Sequence, residues 1–272
     1  MIDSRHPRAV FAILAVAVLS ACTGSEDRSA VGSEWSIETA HVLFTGRRNG
    51  VSDLYVLDRG TSHTRRITAF GDADGGANAA TVSPNGRHVA FQVRRGSDYE
   101  IHVMDLWGGA SQNVTQHAEY DVNPAWSPDG RQLAFMSTRG FTLGSLGPFP
   151  GHVYVHALGS DSLRQITREP LTSSFGPSDW SSDGASLLIA RVIDGSPDVF
   201  QIDIVTGAEV RLTDAPEAEY SATYAHAGDW IAFHAENDSG SQIVILDLGT
   251  GERRAVTHGS GYRYGPEWSP DD

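Results

Sequence analysis

Short runs with apolar residues two apart recur along the chain: Val89 and Phe91, Leu133 and Phe135, Leu187 and Ile189, Ile231 and Phe233. A period of two predicts β-strands. The residues between them, Ala90, Ala134, Leu188 and Ala232, are apolar as well. Both faces of these strands are therefore expected to be covered, as in a strand held between neighbouring sheets. A turn signal precedes each run: Val82-Ser83-Pro84-Asn85-Gly86, Trp126-Ser127-Pro128-Asp129-Gly130, Trp180-Ser181-Ser182-Asp183-Gly184 and, more loosely, Tyr224-Ala225-His226-Ala227-Gly228. Asn-Gly and Asp-Gly accept the positive φ of a tight hairpin.

A further strand follows each run: Leu54–Leu57, Ile101–Met104, Val153–His156, Val199–Ile202 and Ile243–Leu246. Asp58, Asp105, Asp203 and Asp247 close four of them, where a carboxylate can cap the next turn through backbone amides. An outer strand then ends in an apolar residue and Thr: Ile67-Thr68, Val114-Thr115, Ile166-Thr167, Leu212-Thr213 and Val256-Thr257. The signature steps by 44 residues from Val82 to Trp126, from Trp180 to Tyr224 and from Tyr224 to Trp268, and by 54 from Trp126 to Trp180. A period in the forties fits four short strands with their turns. The expectation is an all-β protein, a β-propeller of five four-stranded antiparallel blades. The inner strand Pro266-Glu267-Trp268 would complete the N-terminal blade. Trp35-Ser36 keeps open a spare C-terminal strand, and with it a six-bladed or truncated propeller.

The Trp-Ser-Pro-Asp-Gly signature with its Ile-Thr outer strand resembles the TolB-like β-propeller repeat over residues 35–272. The resemblance implies the fold strongly and a role weakly, because one fold serves many functions. TolB itself carries an α/β domain before its propeller; here a short tether precedes the first repeat.

Composition adds an address and removes some partners. Arg5 and Arg8, the apolar run Ala9–Leu19 and then Leu19-Ser20-Ala21-Cys22 read as an export signal over residues 1–21. The run is too short for a membrane-spanning helix. Cys22, the only cysteine, resembles the lipidated residue of a bacterial lipoprotein, with residues 22–34 as a flexible tether. This predicts a monomer in the cell envelope whose only membrane contact is the lipid, on the periplasmic side of the outer membrane. A net charge of −14 without a basic patch argues against nucleic acid.

The propeller end formed by the inter-blade loops and the loops after the second strands is the richer one. Its candidate contacts for a protein, peptide or glycan are Tyr120, Asp121, Phe141, Phe149, Phe175, Glu219, Tyr220, Arg263 and Tyr264, with Phe141 and Phe149 on the long loop from Gly140 to Gly151. The alternatives are a scaffold role in an envelope complex and carbohydrate lyase or hydrolase chemistry by acids such as Asp121 and Glu219 at the channel mouth. No cofactor is expected. Asp72-Ala73-Asp74-Gly75 opens like a calcium loop but lacks its remainder, so no metal site is expected either. There is no G-x-S-x-G elbow and no complete catalytic motif, so the chain reads as non-catalytic.

Overall fold

A computed structural model describes residues 17–19, 41–48, 50–70, 76–96, 98–141, 150–172, 176–238, 240–259, 261–263, 265–269 and 272. They form a five-bladed β-propeller of four-stranded antiparallel sheets. Blade 1 holds β1 (Ala17–Leu19), β2 (His41–Arg48), β3 (Val51–Asp58) and β4 (Thr64–Arg66); blade 2 holds β5 (Ala77–Val82), β6 (His88–Arg95), β7 (Asp98–Asp105) and β8 (Gln112–Asn113). Blade 3 holds β9 (Asp121–Trp126), β10 (Gln132–Ser137), β11 (His152–Ala157) and β12 (Leu163–Gln165). Blade 4 holds β13 (Asp179–Trp180), β14 (Ser186–Ile193), β15 (Ser196–Asp203) and β16 (Glu209–Arg211); blade 5 holds β17 (Ala218–Tyr224), β18 (Trp230–Asn237), β19 (Gly240–Asp247) and β20 (Arg253–Ala255).

The signature residues build their turns. Ser127 Oγ donates to Asp129 Oδ1 at 2.6 Å and accepts from Gln132 N at 2.9 Å, while Arg131 N donates to the same Asp129 oxygen at 3.0 Å. Ser83 with Asn85, and Ser181 with Asp183, repeat the arrangement. Asp58, Asp105, Asp203 and Asp247 cap the turns after their strands, each Oδ1 accepting backbone amides two or three residues on. Those amides hold the Asp58, Asp203 and Asp247 carboxyls below the usual range.

The outer-strand threonines are pins. Leu54 N, Ile101 N, Val153 N, Val199 N and Ile243 N donate to Thr68, Thr115, Thr167, Thr213 and Thr257 Oγ1 at 2.9–3.0 Å. Each amide comes from the third strand of a blade, so the hydroxyl fixes where the short outer strand ends.

Blades pack face to face, and each junction uses the same positions. Val89 and Phe91 of blade 2 meet Leu43, Leu54 and Val56 of blade 1; Leu133 and Phe135 meet Ala90 and Ile101. Leu187 and Ile189 meet Ala134 and Val153; Ile231 and Phe233 meet Leu188 and Val199. Large residues on the trailing face of one blade fill space above the leading face of the blade before it, the dense packing that interiors require. The Trp126 indole donates to Thr81 O and the Trp180 indole to Ala125 O, both at 3.1 Å. At the next junction Tyr224 stands in place of Trp, and Asp179 Oδ2 accepts from Tyr224 N at 2.8 Å and Thr223 Oγ1 at 2.9 Å.

Inner strands β5, β9 and β17 each carry a bulge three residues before the aromatic or Val of the signature, where Ala79, Asn123 and Ser221 take φ of 46°, 56° and 53°. Blade 4 has Pro177 at that position. Proline cannot take a positive φ or donate to a ladder, and β13 is two residues long.

The closing strand differs from expectation. The inner edge of β2 is taken by β1, paired Ala17 with Leu43 and Leu19 with His41, and Pro266–Trp268 joins no ladder among the described residues. The Trp268 indole donates to Thr223 O at 3.1 Å, which holds the C-terminal segment against blade 5 and leaves the β2 edge to the apolar run near the N-terminus. Trp35, Ser36 and Cys22 lie outside the described residues.

Thr213→Val keeps the side-chain shape but leaves the buried Val199 amide without an acceptor. A loss of about 1–3 kcal/mol is expected, read by urea unfolding of the purified protein.

Candidate functional site

The inner strands of blades 3 and 5 place the two acids that the sequence assigns to the binding face. Asp121 and Glu219 each stand five residues before the signature aromatic, and Ala77 occupies the same place in blade 2. All three are 0% exposed. A charge in a buried slot needs a partner. Arg139 NH2 meets Asp121 Oδ1 at 3.0 Å and Oδ2 at 2.8 Å, and Arg253 NH2 meets Glu219 Oε1 at 2.5 Å. The two acids expected at the rim are thus internal anchors of arginines, on different blades, and neither is an exposed contact. Burial pushes the Asp121 carboxyl up, opposed by the Ser137 hydroxyl and by Arg139, and reinforced by the charge of Glu100.

Arg139 organises the end of blade 3. Its Nε donates to Ser137 Oγ at 2.7 Å, and its guanidinium lies 5.0 Å from the Tyr154 ring centroid and 5.7 Å from that of Phe135. Cation–π attraction of this kind adds to the ion pair. The guanidinium also lines a cleft of about 270 Å³ with Val114, Thr115, Gln116, His156, Asp161 and Leu163. Burial lowers the His156 pKa and raises that of Tyr154, so at neutral pH the histidine is neutral and the phenol keeps its proton.

Aromatic side chains flank this point. Tyr120 and Tyr99 rings lie 5.5 Å apart, and the Phe141 ring is 5.4 Å from His152. Tyr120 is fixed by its backbone, its amide donating to Thr138 Oγ1 at 3.0 Å. Phe141 N donates to Thr138 O at 3.0 Å. Tyr99, Tyr120 and Phe141 are half-buried, so ring surface is left for a partner. In blade 5 the Tyr220 hydroxyl donates to Glu236. The Arg263 guanidinium is tied to the carbonyls of His258, Gly259 and Gly261, and Ser241 Oγ accepts from its amide at 2.6 Å. Phe149, Phe175 and Tyr264, as well as Asp72 and Asp74, lie outside the described residues. Among the described residues no group of three metal-ligating side chains occurs.

Sequence reading missed Arg139, Arg253 and Tyr99. The signal for the arginines was present: an acid at a repeat position filled by Ala77 elsewhere implies a buried site and hence a counter-charge.

Fold and repeat together define a β-propeller, and comparison with known proteins narrows it. The TolB beta propeller domain family matches residues 29–143. The Tol-Pal system protein TolB of Bordetella pertussis is 32% identical over 168 residues, covering 60% of this chain and 35% of that protein. TolB from Acinetobacter baumannii superposes with a TM-score of 0.68 at 20% identity, covering 83% of this chain and 53% of the other. A puromycin hydrolase S511A mutant complexed with PGG superposes at 0.60 with 18% identity, covering 81% and 37%. The chain is a five-bladed β-propeller whose residues 29–143 match the TolB beta propeller domain. It spans about a third of the Bordetella protein's length, and the two superpositions speak for the fold alone.

Arg139→Met strands the buried Asp121 carboxylate, with an expected loss of about 3–5 kcal/mol at pH 7. Without its cation the folded carboxyl has a pKa well above the unfolded value, so the native state binds the extra proton and the deficit shrinks as pH falls from 7 toward 4. Denaturant unfolding of the variant across that range reads both effects. A deficit independent of pH would contradict the assignment.

Proposed function

We propose that this chain is a non-catalytic binding module of the bacterial cell envelope, tethered by lipid at Cys22 once processing removes residues 1–21 and with them β1, and that a protein or peptide docks on the end of blades 2 and 3. The observation that carries this reading is the half-buried aromatic set Tyr99, Tyr120 and Phe141, of which Tyr120 and Phe141 are both held through their backbone amides to Thr138, next to Arg139 in the chain. Aromatic residues and arginine are the side chains that concentrate binding energy in protein interfaces. The acids that a glycosidase or lyase reading would use, Asp121 and Glu219, are instead buried and ion-paired with Arg139 and Arg253. Similarity to Tol-Pal system proteins supports an envelope role.

The double variant Tyr120→Ala/Phe141→Ala is expected to weaken capture of the partner recovered from solubilised envelopes at least tenfold, with the thermal midpoint within a few degrees of wild type. Full capture by a folded double variant would remove this face from consideration. Cys22→Ser is expected to move the protein from the detergent-extracted membrane fraction to the soluble periplasmic fraction. Retention of the variant in the membrane fraction would refute the lipid tether.

A further inference from the structure

Trp107 is the largest apolar side chain left exposed among the described residues, 53% open to solvent. It follows the third strand of blade 2, at the end of the propeller opposite to Tyr120 and Phe141. With His41, Val56, Asp58, His63 and Arg65 of blade 1 it walls a cavity of about 480 Å³ between the two blades. The ring is exposed but held. Trp107 N donates to Asp105 Oδ1 at 2.8 Å, its carbonyl accepts from Arg65 Nη1 at 2.9 Å, and the indole meets the His41 ring edge-on with centroids 4.9 Å apart. A rigid apolar plane facing solvent loses little freedom when a ligand covers it.

The fold does not require these side chains, because the repeat builds the same turns without them. Val205 N and Gly249 N donate to Asp203 and Asp247 Oδ1 as Trp107 N does to Asp105. His63 O accepts from Asp58 N, and Ser162, Ala208 and Glu252 carbonyls do the same for Ala157, Asp203 and Asp247. The junction of blades 3 and 4 even repeats the arginine clip: Arg164 donates to Ile204 O as Arg65 Nη2 donates to Leu106 O. There Val205 stands in place of Trp107 and Ser162 in place of His63. Nor is Trp107 a clamp between inner strands. The Trp126, Trp180 and Trp268 indoles donate to carbonyls of the preceding blade, whereas that of Trp107 has no acceptor among the described residues. A ring and an imidazole that the architecture can do without line one cavity, and that is a signature of binding.

We propose that this cavity is a saccharide-binding site, with one pyranose ring of a neutral sugar lying on the Trp107 indole. The face of a pyranose is a patch of C–H groups with partial positive charge, which suits the negative face of an aromatic ring. Its rim is hydroxyls, each of which both donates and accepts. The cavity offers partners of both kinds: the Asp58 carboxylate accepts, the Trp107 indole N–H donates, and the imidazoles of His41 and His63 do either according to tautomer. Asp58 Oδ1 is taken by the Thr61 amide at 2.9 Å, while Oδ2 lies 3.7 Å from His41 Nε2. That gap is too long for a direct hydrogen bond, and a sugar hydroxyl in reach of both atoms joins them. The lining holds one carboxylate and one guanidinium, Asp58 and Arg65, so charge favours neither a cation nor an anion. The volume falls in the range of small-molecule sites, roughly 300–1,000 Å³. This site is separate from the aromatic end of blades 2 and 3, so either can fail without the other.

The test titrates the whole protein with cellobiose, maltose, lactose and diacetylchitobiose, and with choline and acetate as charged controls, by calorimetry and intrinsic tryptophan fluorescence. Saturable binding of at least one disaccharide is expected, with a fluorescence change that Trp107→Ala abolishes. Trp107→Ala is expected to weaken binding roughly tenfold or more, the scale of removing one aromatic anchor. His63→Ala is a second variant expected to weaken it, and Tyr120→Ala/Phe141→Ala should leave it unchanged. Trp107 and His63 are both exposed, and circular dichroism with a thermal melt confirms that each variant is folded. No saturable binding of any of the four disaccharides by folded wild type, or sugar binding indifferent to both Trp107→Ala and His63→Ala, would overturn the proposal. Tighter binding of choline or acetate than of any sugar would overturn it too, since the site would then recognise charge and not a sugar face.

Discussion

The fold rests on the contact between the trailing face of one blade and the leading face of the blade before it. Each blade is apolar on both sides, so an isolated one would expose two hydrophobic faces and could not hold together in water. Stability is therefore a property of neighbours, as in other repeat architectures. The large-against-small pairing, Phe135 over Ala90 and Ile189 over Ala134, sets how closely sheets approach. The indole-to-carbonyl bonds of Trp126 and Trp180 set their register along the inner strands. The threonine pins do the equivalent work at the outer edge.

Most of this architecture was legible in the sequence because it repeats. Strand positions and turn chemistry could be read from one copy and checked against the others, and the Asp caps recur in four of the five. The outer-strand Thr was visible as a pattern, although its bond to the third-strand amide was not, since fourteen residues separate Val199 from Thr213 and only the folded blade joins them. The closing strand was misassigned for a related reason. Pro266-Glu267-Trp268 carries the inner-strand signature and takes the inner-strand conformation, but the signature specifies which blade the strand docks against, through Trp268 and Thr223, and not which second strand it pairs with.

The proposed binding face was less legible. Loop acids were read as surface charge because a single sequence shows residue type and not burial. Asp121 and Glu219 are the instructive cases: both are buried, and each secures an arginine that reaches it over a core aromatic ring, Phe135 in blade 3 and Phe233 in blade 5. What a docking partner could touch is the aromatic surface and the guanidinium, not the carboxylates. Tyr120 and Phe141 stood out in the sequence because large rings are uncommon on loops that do no more than connect strands.

Neighbour-dependent stability has a direct consequence for how protection is distributed. Among the described residues, blades 2, 3 and 4 are covered by a neighbouring blade on both faces, whereas blades 1 and 5 are each so covered on one. Hydrogen exchange of the backbone amides, followed by mass spectrometry of peptides from each blade, measures this blade by blade. Peptides from β10–β11 and β14–β15 are expected to exchange slowest, and those from β2–β3 and β18–β19 earlier, by at least tenfold in rate. Equal protection across all five blades, or slowest exchange in blades 1 and 5, would contradict a stability built from neighbouring faces.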